Sequence, residues 1–263
     1  MRGPIIDDRE LARTYDGGAY ADPYETVQEY RAVMRYASQH LNKSSHAVAT
    51  ATDTPRPRIR TWIDRGGEPD CVRGLETARE YGWLEADYDN PEFTALNTLV
   101  ANVFSGGSIT ATNYQPSFAL NHRGEESHVI DAIELAGVDY QVVDGREGRA
   151  DEARPTEDAS VLGRVLAVLG APVGPKTDTR LSLPDYLEGA PDDVRETFVY
   201  SYLENRAIEH DGKATLTVRE DRNRDYLESL AALIDDVAGG GVRFSERDIV
   251  VSADATRALG TVR

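Results

Sequence analysis

The chain of 263 residues is poor in three things: it has one cysteine, three lysines and no long apolar run. A lone Cys71 excludes an internal disulfide and a thiolate-based zinc site. The five histidines are scattered without metal-ligand spacing. Gly239-Gly240-Gly241 lacks the Lys-Ser/Thr that would complete a phosphate loop, and no Gly-x-Ser-x-Gly turn occurs. No cofactor is expected. No window approaches the roughly 18 apolar residues of a membrane helix, and Met1 to Asp8 lacks the apolar core of a secretion signal, so a cytoplasmic protein without a membrane partner is expected. Lysine is confined to Lys43, Lys176 and Lys213, which leaves arginine to carry nearly all the basic charge against 46 Asp and Glu, a net of −17. Carboxylate excess with scarce lysine is the composition of a surface adapted to molar salt, where screening acts over about 3 Å, and a halophilic source is expected. Against that background the overall sign does not exclude nucleic acid. Local clusters of positive charge are what count.

Residues 1–22 are polar and Gly-containing and read as a flexible arm with at most one short helix. From Asp22-Pro23, an N-cap followed by proline at the first helical position, Val27, Tyr30, Val33, Met34, Ala37 and Leu41 recur at helical spacing. Ser44 or Ser45 opens a short second helix, Thr52-Asp53-Thr54 turns, and a third helix runs to Arg65 before Gly66-Gly67. Two further helical pieces, around Cys71 to Tyr81 and from Pro91 onward, follow, which places a domain over residues 23–90.

Residues 44–65 have the make-up of a helix-turn-helix. Small Ala47 and Ala49 allow close packing, and Ile59, Trp62 and Ile63 turn inward. Pro55 to Arg65 holds four arginines and one aspartate. In such a motif the start of the second helix meets base edges, which singles out Arg56, Arg58, Arg60 and Thr61, while Lys43 and Ser45 would touch phosphates. An ordinary helical hairpin with an arginine-rich solvated face has the same composition. A homodimer is compatible with this motif, because many such proteins pair to read half-sites.

Beyond residue 90 one order recurs: helix 93–105, strands 107–112 and 117–120, helix 125–136, strand 138–143 and helix 158–169, then helix 192–205, strand 213–219, helix 225–237, strands 242–244 and 248–252 and helix 253–259. Residues 145–156 read as an exposed loop. Leu99-Val100-Ala101-Asn102-Val103-Phe104-Ser105-Gly106-Gly107-Ser108-Ile109 resembles the signature helix of LAGLIDADG homing endonucleases. Val161 to Thr177, with Leu-Gly-Ala-Pro-Val-Gly-Pro-Lys at its end, and Leu183-Pro184-Asp185-Tyr186-Leu187 resemble the segment preceding the second signature helix, here Val199 to Ala207. A helix-turn-helix joined to such a domain is also similar to the WhiA family of transcriptional regulators, which orders the two domains the other way round.

The resemblance implies an α+β fold: an N-terminal helix-turn-helix domain, then a pseudo-two-fold αββαβ(β)α repeat over residues 91–190 and 191–263, whose signature helices pack side by side. It also implies a carboxylate at the foot of each signature helix to hold divalent metal for phosphodiester hydrolysis. Those positions fall on Gly106 and Arg206, neither of which can ligate a cation, so no metal and no nuclease activity are expected. Arg206 could instead meet a phosphate. Strand alternation leaves Thr110 and Thr112 in the first half, and Lys213, Thr215, Thr217 and Arg219 in the second, on polar faces that would line double-stranded DNA. Lys176 reads either as a phosphate contact or, more commonly for a turn lysine, as simply exposed. The reading is a sequence-specific DNA-binding transcription regulator on an inactive endonuclease fold. The competing readings are an active or recently decayed Mg-dependent nuclease using displaced acids such as Glu204, and a protein-interaction scaffold.

Overall fold

The structure, a computed structural model, describes residues 5–16, 18–120, 124–144, 150–177, 179–210 and 212–260. The chain divides into two compact units, residues 6–84 and residues 85–263 together with 1–5.

The first unit is helical: α1 (Asp8–Arg13), α2 (Pro23–Gln39), α3 (Ser45–Thr52), α4 (Arg56–Arg65) and α5 (Asp70–Glu80). The expected arm is in large part folded. Ile6, Leu11 and Ala12 are buried, and Asp8 on α1 pairs with Arg31 of α2 and Arg79 of α5. Asp22 caps α2 as expected, accepting from the Tyr24 amide. It also accepts from Arg9 and Arg13, which hold its carboxyl down to about 2. Val27, Tyr30 and Val33 form the buried stripe of α2, but Leu41 lies past the helix end and is 86% exposed. Ser44 caps α3, Asp53 ends it in the left-handed region at φ 52°, ψ 37°, and α4 starts three residues later. Ile59 and Trp62 anchor α4 in the core, with Trp62 edge-on to Tyr30 at 5.3 Å. Each such buried side chain contributes about 1.5–3 kcal/mol.

The second unit repeats one pattern twice. The first half runs α6 (Pro91–Ser105), β1 (Ser108–Ile109), β2 (Pro116–Ala119), α7 (His128–Leu135), β3 (Tyr140–Val143), β4 (Glu152–Pro155) and α8 (Ala159–Val168). The second runs α9 (Asp192–Arg206), β5 (Ile208–His210), β6 (Lys213–Arg219), α10 (Arg224–Ala238), β7 (Val242–Ser245), β8 (Asp248–Val251) and α11 (Ala253–Ala258). Each half carries a four-stranded antiparallel sheet, ordered β1-β2-β4-β3 in one and β5-β6-β8-β7 in the other. The two orders coincide strand for strand. The repeat is therefore αββαββα, the mixed helix-and-sheet architecture that the LAGLIDADG resemblance implies.

Helices α6 and α9 pack on each other at the middle of this unit. Twelve of the 15 residues of α6 are buried, which is why the segment reads as apolar all round rather than as a stripe. The Asn97 amide donates to the Val194 carbonyl across the pair at 2.8 Å and accepts from the Tyr186 hydroxyl at 2.6 Å. Near the other end Asn205 donates to Ser105 at 3.2 Å, and Phe104 packs edge-on to Phe198.

Three strands depart from expectation. Part of the expected loop is β4, a central strand between β2 and β3. Its charged sequence Glu-Ala-Arg-Pro offers only Ala153 to the core as an apolar side chain besides the terminal proline. Residues 145–149 of that loop lie outside the described residues. Strand β5 was not expected at all, since all three of its residues are exposed. The expected strand 107–112 shrinks to Ser108–Ile109, because the chain turns at residues 111–113.

Candidate nucleic-acid interface

In the helical unit the face of α4 that points to solvent carries Arg56 and Arg60, one turn apart, with Arg60 Nε 3.7 Å from Asp64. Arg58 lies elsewhere. Its Nη1 donates to Glu29 at 2.8 Å and to the Tyr20 hydroxyl at 2.9 Å, and its guanidinium stands 5.0 Å from the Tyr20 ring. It ties α4 to α2 and is committed within the fold. Thr61 is exposed but borders a cleft of about 310 Å³ with Tyr20, Arg58 and Glu68 instead of joining Arg56 and Arg60. Ser45 is 2% exposed and donates to Asp64, so it cannot reach a phosphate. Lys43 is exposed in the loop before α3, where its ammonium donates to the Tyr36 hydroxyl at 2.8 Å.

In the repeat unit β6 alternates as expected from Thr215 to Arg219, whereas Ala214, expected on the apolar face, is exposed at the strand start. Leu216 and Val218 are buried, and Thr215, Thr217 and Arg219 face outward with Lys213 exposed at the strand start. Cross-strand partners share a face, so Thr217 sits beside Val250, and Arg219 beside Asp248. Val250 and Asp248 pair in turn with Arg243 and Ser245 of β7. Arg219 grips Asp248 in a two-pronged pair at 2.8 and 2.9 Å. The outward face of this sheet thus carries Lys213, Arg219 and Arg243 against Asp248, three cations to one carboxylate in a chain of net −17. The first sheet is balanced: Glu152 accepts from Ser117 at 2.5 Å and from Arg154 at 2.8 Å on the outward face. Thr110 and Thr112 are exposed in the β1–β2 connection, not on a strand. Thr110 holds that turn by donating to Asn113 and accepting from the Gln115 amide.

The feet of α6 and α9 hold an arrangement that only Gly106 and Arg206 hinted at. Gly106 ends α6, and its amide bonds the Asn102 carbonyl. Asn102 is fully buried and bonds both the amide and the carbonyl of Ala119, fastening the helix to β2. Arg206 ends α9 and donates to Glu220 at 2.7 Å. Glu220 directly follows β6 and has a side chain 1% exposed. Arg222 Nε lies 3.6 Å from its other oxygen. Lys176 is no exposed turn lysine. The Leu-Gly-Ala-Pro-Val-Gly-Pro-Lys segment folds under α6, with the Gly174 amide on the Ile109 carbonyl, and brings the Lys176 ammonium to the Val103 and Gly107 carbonyls at 2.7 and 2.8 Å. Glu220 and Arg222 carried no signal in the sequence, since isolated charges beyond a strand end are ordinary.

These residues do not fit the divalent metal that the resemblance implies. A glycine and an arginine stand at the two feet, and the nearest acid, Glu220, is engaged by Arg206 and Arg222 beside a lysine. Glu204 points elsewhere, into a groove of about 350 Å³ with Thr98, His128, Asp131 and Tyr200. Among the described residues no group of three or more His, Cys, Asp or Glu could hold a metal ion, and no helix is long and apolar enough to cross a membrane.

No family model matches the chain, and no curated protein does. Solved structures are loosely similar. Full-length DUF199/WhiA from Thermatoga maritima shares 8% identity at a TM-score of 0.44, over 67% of this chain and 58% of its own. The N-terminal LAGLIDADG domain of DUF199/WhiA shares 10% at 0.43, over 72% of this chain and 92% of its own. I-DmoI in complex with DNA and Mn shares 12% at 0.42, over 66% and 97%. The chain thus spans less than two thirds of the length of full-length WhiA. At TM-scores below 0.5 these likenesses carry no argument, and the architecture rests on the helix pairing and strand order described above.

Lys176 gives the helix feet a measurable signature. Burial, together with Arg222 and Arg206, pushes its ammonium down from 10.5 to about 8, against the pull of Glu220. The native chain therefore releases this proton from about pH 8 while the unfolded chain still holds it to about 10.5. The contribution of Lys176 to stability accordingly rises across that window, by up to about 1.4 kcal/mol per pH unit. The neutral amine keeps two N–H donors for the two carbonyls, so the cap survives. Above pH 10 Tyr186, Tyr202 and Tyr226 pull the other way, because burial keeps their hydroxyls protonated. Urea unfolding is expected to show the gap between wild type and Lys176→Met shifting in favour of wild type from pH 7.5 to 9.5. A constant gap would count against the assignment.

Proposed function

We propose that this chain is a sequence-specific double-stranded-DNA-binding protein that regulates transcription and does not cut its target. The observation that carries the reading is the outward face of the second sheet, where Lys213, Arg219 and Arg243 stand against a single carboxylate on a strongly acidic chain. Positive charge persisting on one face despite such a background marks a surface for a polyanion. It also speaks against the scaffold reading, which calls for a negative sheet face.

The helical unit supplies the sequence readout in this proposal. A short helix, a three-residue turn with Asp53 in the left-handed region and a second helix presenting Arg56 and Arg60 are the parts a helix-turn-helix needs. Arginine suits bidentate contact with guanine, each such contact discriminating by about 1–3 kcal/mol. Chemistry at the helix feet argues for binding without hydrolysis, since cations occupy the ground that carboxylates would need. A halophilic setting is part of the proposal, and binding belongs in molar KCl.

Selection from random duplexes in molar KCl is expected to return a defined sequence. Arg56→Ala with Arg60→Ala should flatten that preference, whereas Arg219→Ala should weaken all duplexes alike and shallow the salt dependence by about one counterion. Supercoiled plasmid carrying the selected site should stay intact with Mg²⁺. Cleavage there would restore the nuclease reading, and failure to select any sequence would remove the regulator.

A further inference from the structure

The two halves of the repeat unit treat their central helices differently. From Ala95 to Ser105 α6 is buried on every side, whereas α9 leaves Thr197, Tyr200 and Glu204 half-exposed along one stripe. That stripe, the first half of α6 and the length of α7 enclose a groove of about 350 Å³. Ala95, Ala132 and Leu135 give it apolar walls, and Leu135 is 48% exposed there. No arginine or lysine lines it, while Asp131 brings a carboxylate that has no ion-pair partner among the described residues. Pockets of this size take small ligands and hold them by a few polar groups set in apolar walls.

Two hydroxyls in these walls are unengaged. Thr98 of α6 and Ser201 of α9 are 7% and 4% exposed, and neither hydroxyl has a hydrogen-bond partner among the described residues. A helical threonine can donate to the carbonyl one turn back, as Thr197 does to Asp193 at 2.8 Å. Polar atoms left open at the floor of an apolar groove call for an occupant that bonds them. The other half of the repeat shows what kind. There the fourth residue of the central helix is Arg195, whose guanidinium reaches Asp236 of α10 and ties the two helices together. In the first half the fourth residue is Thr94, too short to reach across, and Asp131 of α7 is left without a cation. Hydroxyl acceptors beside a carboxylate suit an ammonium, which has three donors and no acceptor, and the alanine and leucine walls suit the methylene stem behind it.

We infer that the groove between α6, α7 and α9 is a binding site for a small primary alkylamine in its protonated form, its ammonium among Thr98, Ser201 and Asp131 and its chain against Ala95, Ala132 and Leu135. The carboxylates of Asp131 and Glu204 exclude an anion. The site draws on both halves of the repeat and is lined by helices alone, so it belongs to the helix layer and not to the outward faces of the sheets. It stands or falls independently of the DNA-binding reading.

Calorimetric titration of hexylamine into the full chain tests it in molar KCl, where screening over about 3 Å suppresses diffuse attraction to a surface of net −17. Saturable binding of a single equivalent is expected, with hexanol and hexanoate weaker by about 10-fold or more. Ser201→Ala and Asp131→Asn should each weaken hexylamine by about 5- to 10-fold. Ser201→Ala should leave the melting temperature of the free chain no lower, since it removes a hydroxyl that has no partner. Thr94→Arg gives the first half the cation that the second half already has and should abolish binding; Thr94 is exposed, so the fold tolerates the longer side chain. Hexylamine that fails to bind, or binds no better than hexanol, overturns the site. Binding untouched by Thr94→Arg and Asp131→Asn places the amine elsewhere and overturns it equally. A free amine and the lysine of a partner chain share this chemistry, and a blocked Gly-Gly-Lys-Gly-Gly peptide separates them. The peptide should bind more weakly than hexylamine, and the reverse order overturns occupation by a free amine.

Discussion

Glu220→Ala is expected to destabilise the repeat unit by about 3 kcal/mol, read as a lowered urea midpoint, because it leaves Arg206, Arg222 and Lys176 clustered with no carboxylate among them. Arg206 can swing toward solvent and relieve part of the strain, which keeps the loss below the upper end for a broken buried pair. Glu220→Gln should recover part of it by still accepting from Arg206. Molar KCl should shrink the loss, since chloride can approach the exposed edge of the cluster. A loss under about 1 kcal/mol for Glu220→Ala in dilute salt would mean that the cluster is solvated and that its charges do not depend on one another.

Gly163→Ala should be at least as damaging, at about 3 kcal/mol or more, measured as a drop in melting temperature. A methyl built on Gly163 would lie 1.8 Å from the Tyr114 carbonyl oxygen and 2.9 Å from its carbon. Backbone cannot step aside as a side-chain tip can, so α8 would have to lift from the β1–β2 connection. Tyr114 is itself held in the left-handed region at φ 55° and has the Arg164 guanidinium 4.2 Å from its ring, which leaves it little room to retreat. Gly189→Ala is the matched control, with nothing within 4 Å of the added methyl, and should be near neutral.

Those two sites show what could and could not be read in advance. Gly163 belongs to the Val161 to Thr177 segment whose resemblance was noted from residues alone, and the close approach supplies its physical reason. The helices of the repeat were legible because α8 and α10 keep a regular apolar stripe and α6 carries apolar side chains on every side between its few polar ones. Strand β6 was legible because Leu216 and Val218 alternate with polar neighbours. β4 and β5 were not, since a four-residue strand of charged character and a three-residue exposed edge strand have no periodicity to detect. The arginine cluster of α4 was correct as a composition and misleading as a surface. Residues 56 and 60 share a face, whereas residue 58 falls on the far side, where Glu29 was waiting 29 positions earlier. Pairing over such a distance is invisible to local pattern. Lys176 was misjudged for the same reason: a turn residue is exposed unless the turn itself is tucked under a helix, and only the packing of Gly174 against Ile109 reveals that it is.

The two halves of the repeat agree in strand order and disagree in dimension. The outermost hairpin of one joins a two-residue strand to a four-residue strand, and that of the other joins three residues to seven. Their outward charges differ as well, balanced in the first and positive in the second. On the DNA-binding reading proposed above, two unlike sheets match an asymmetric stretch of duplex rather than a palindrome.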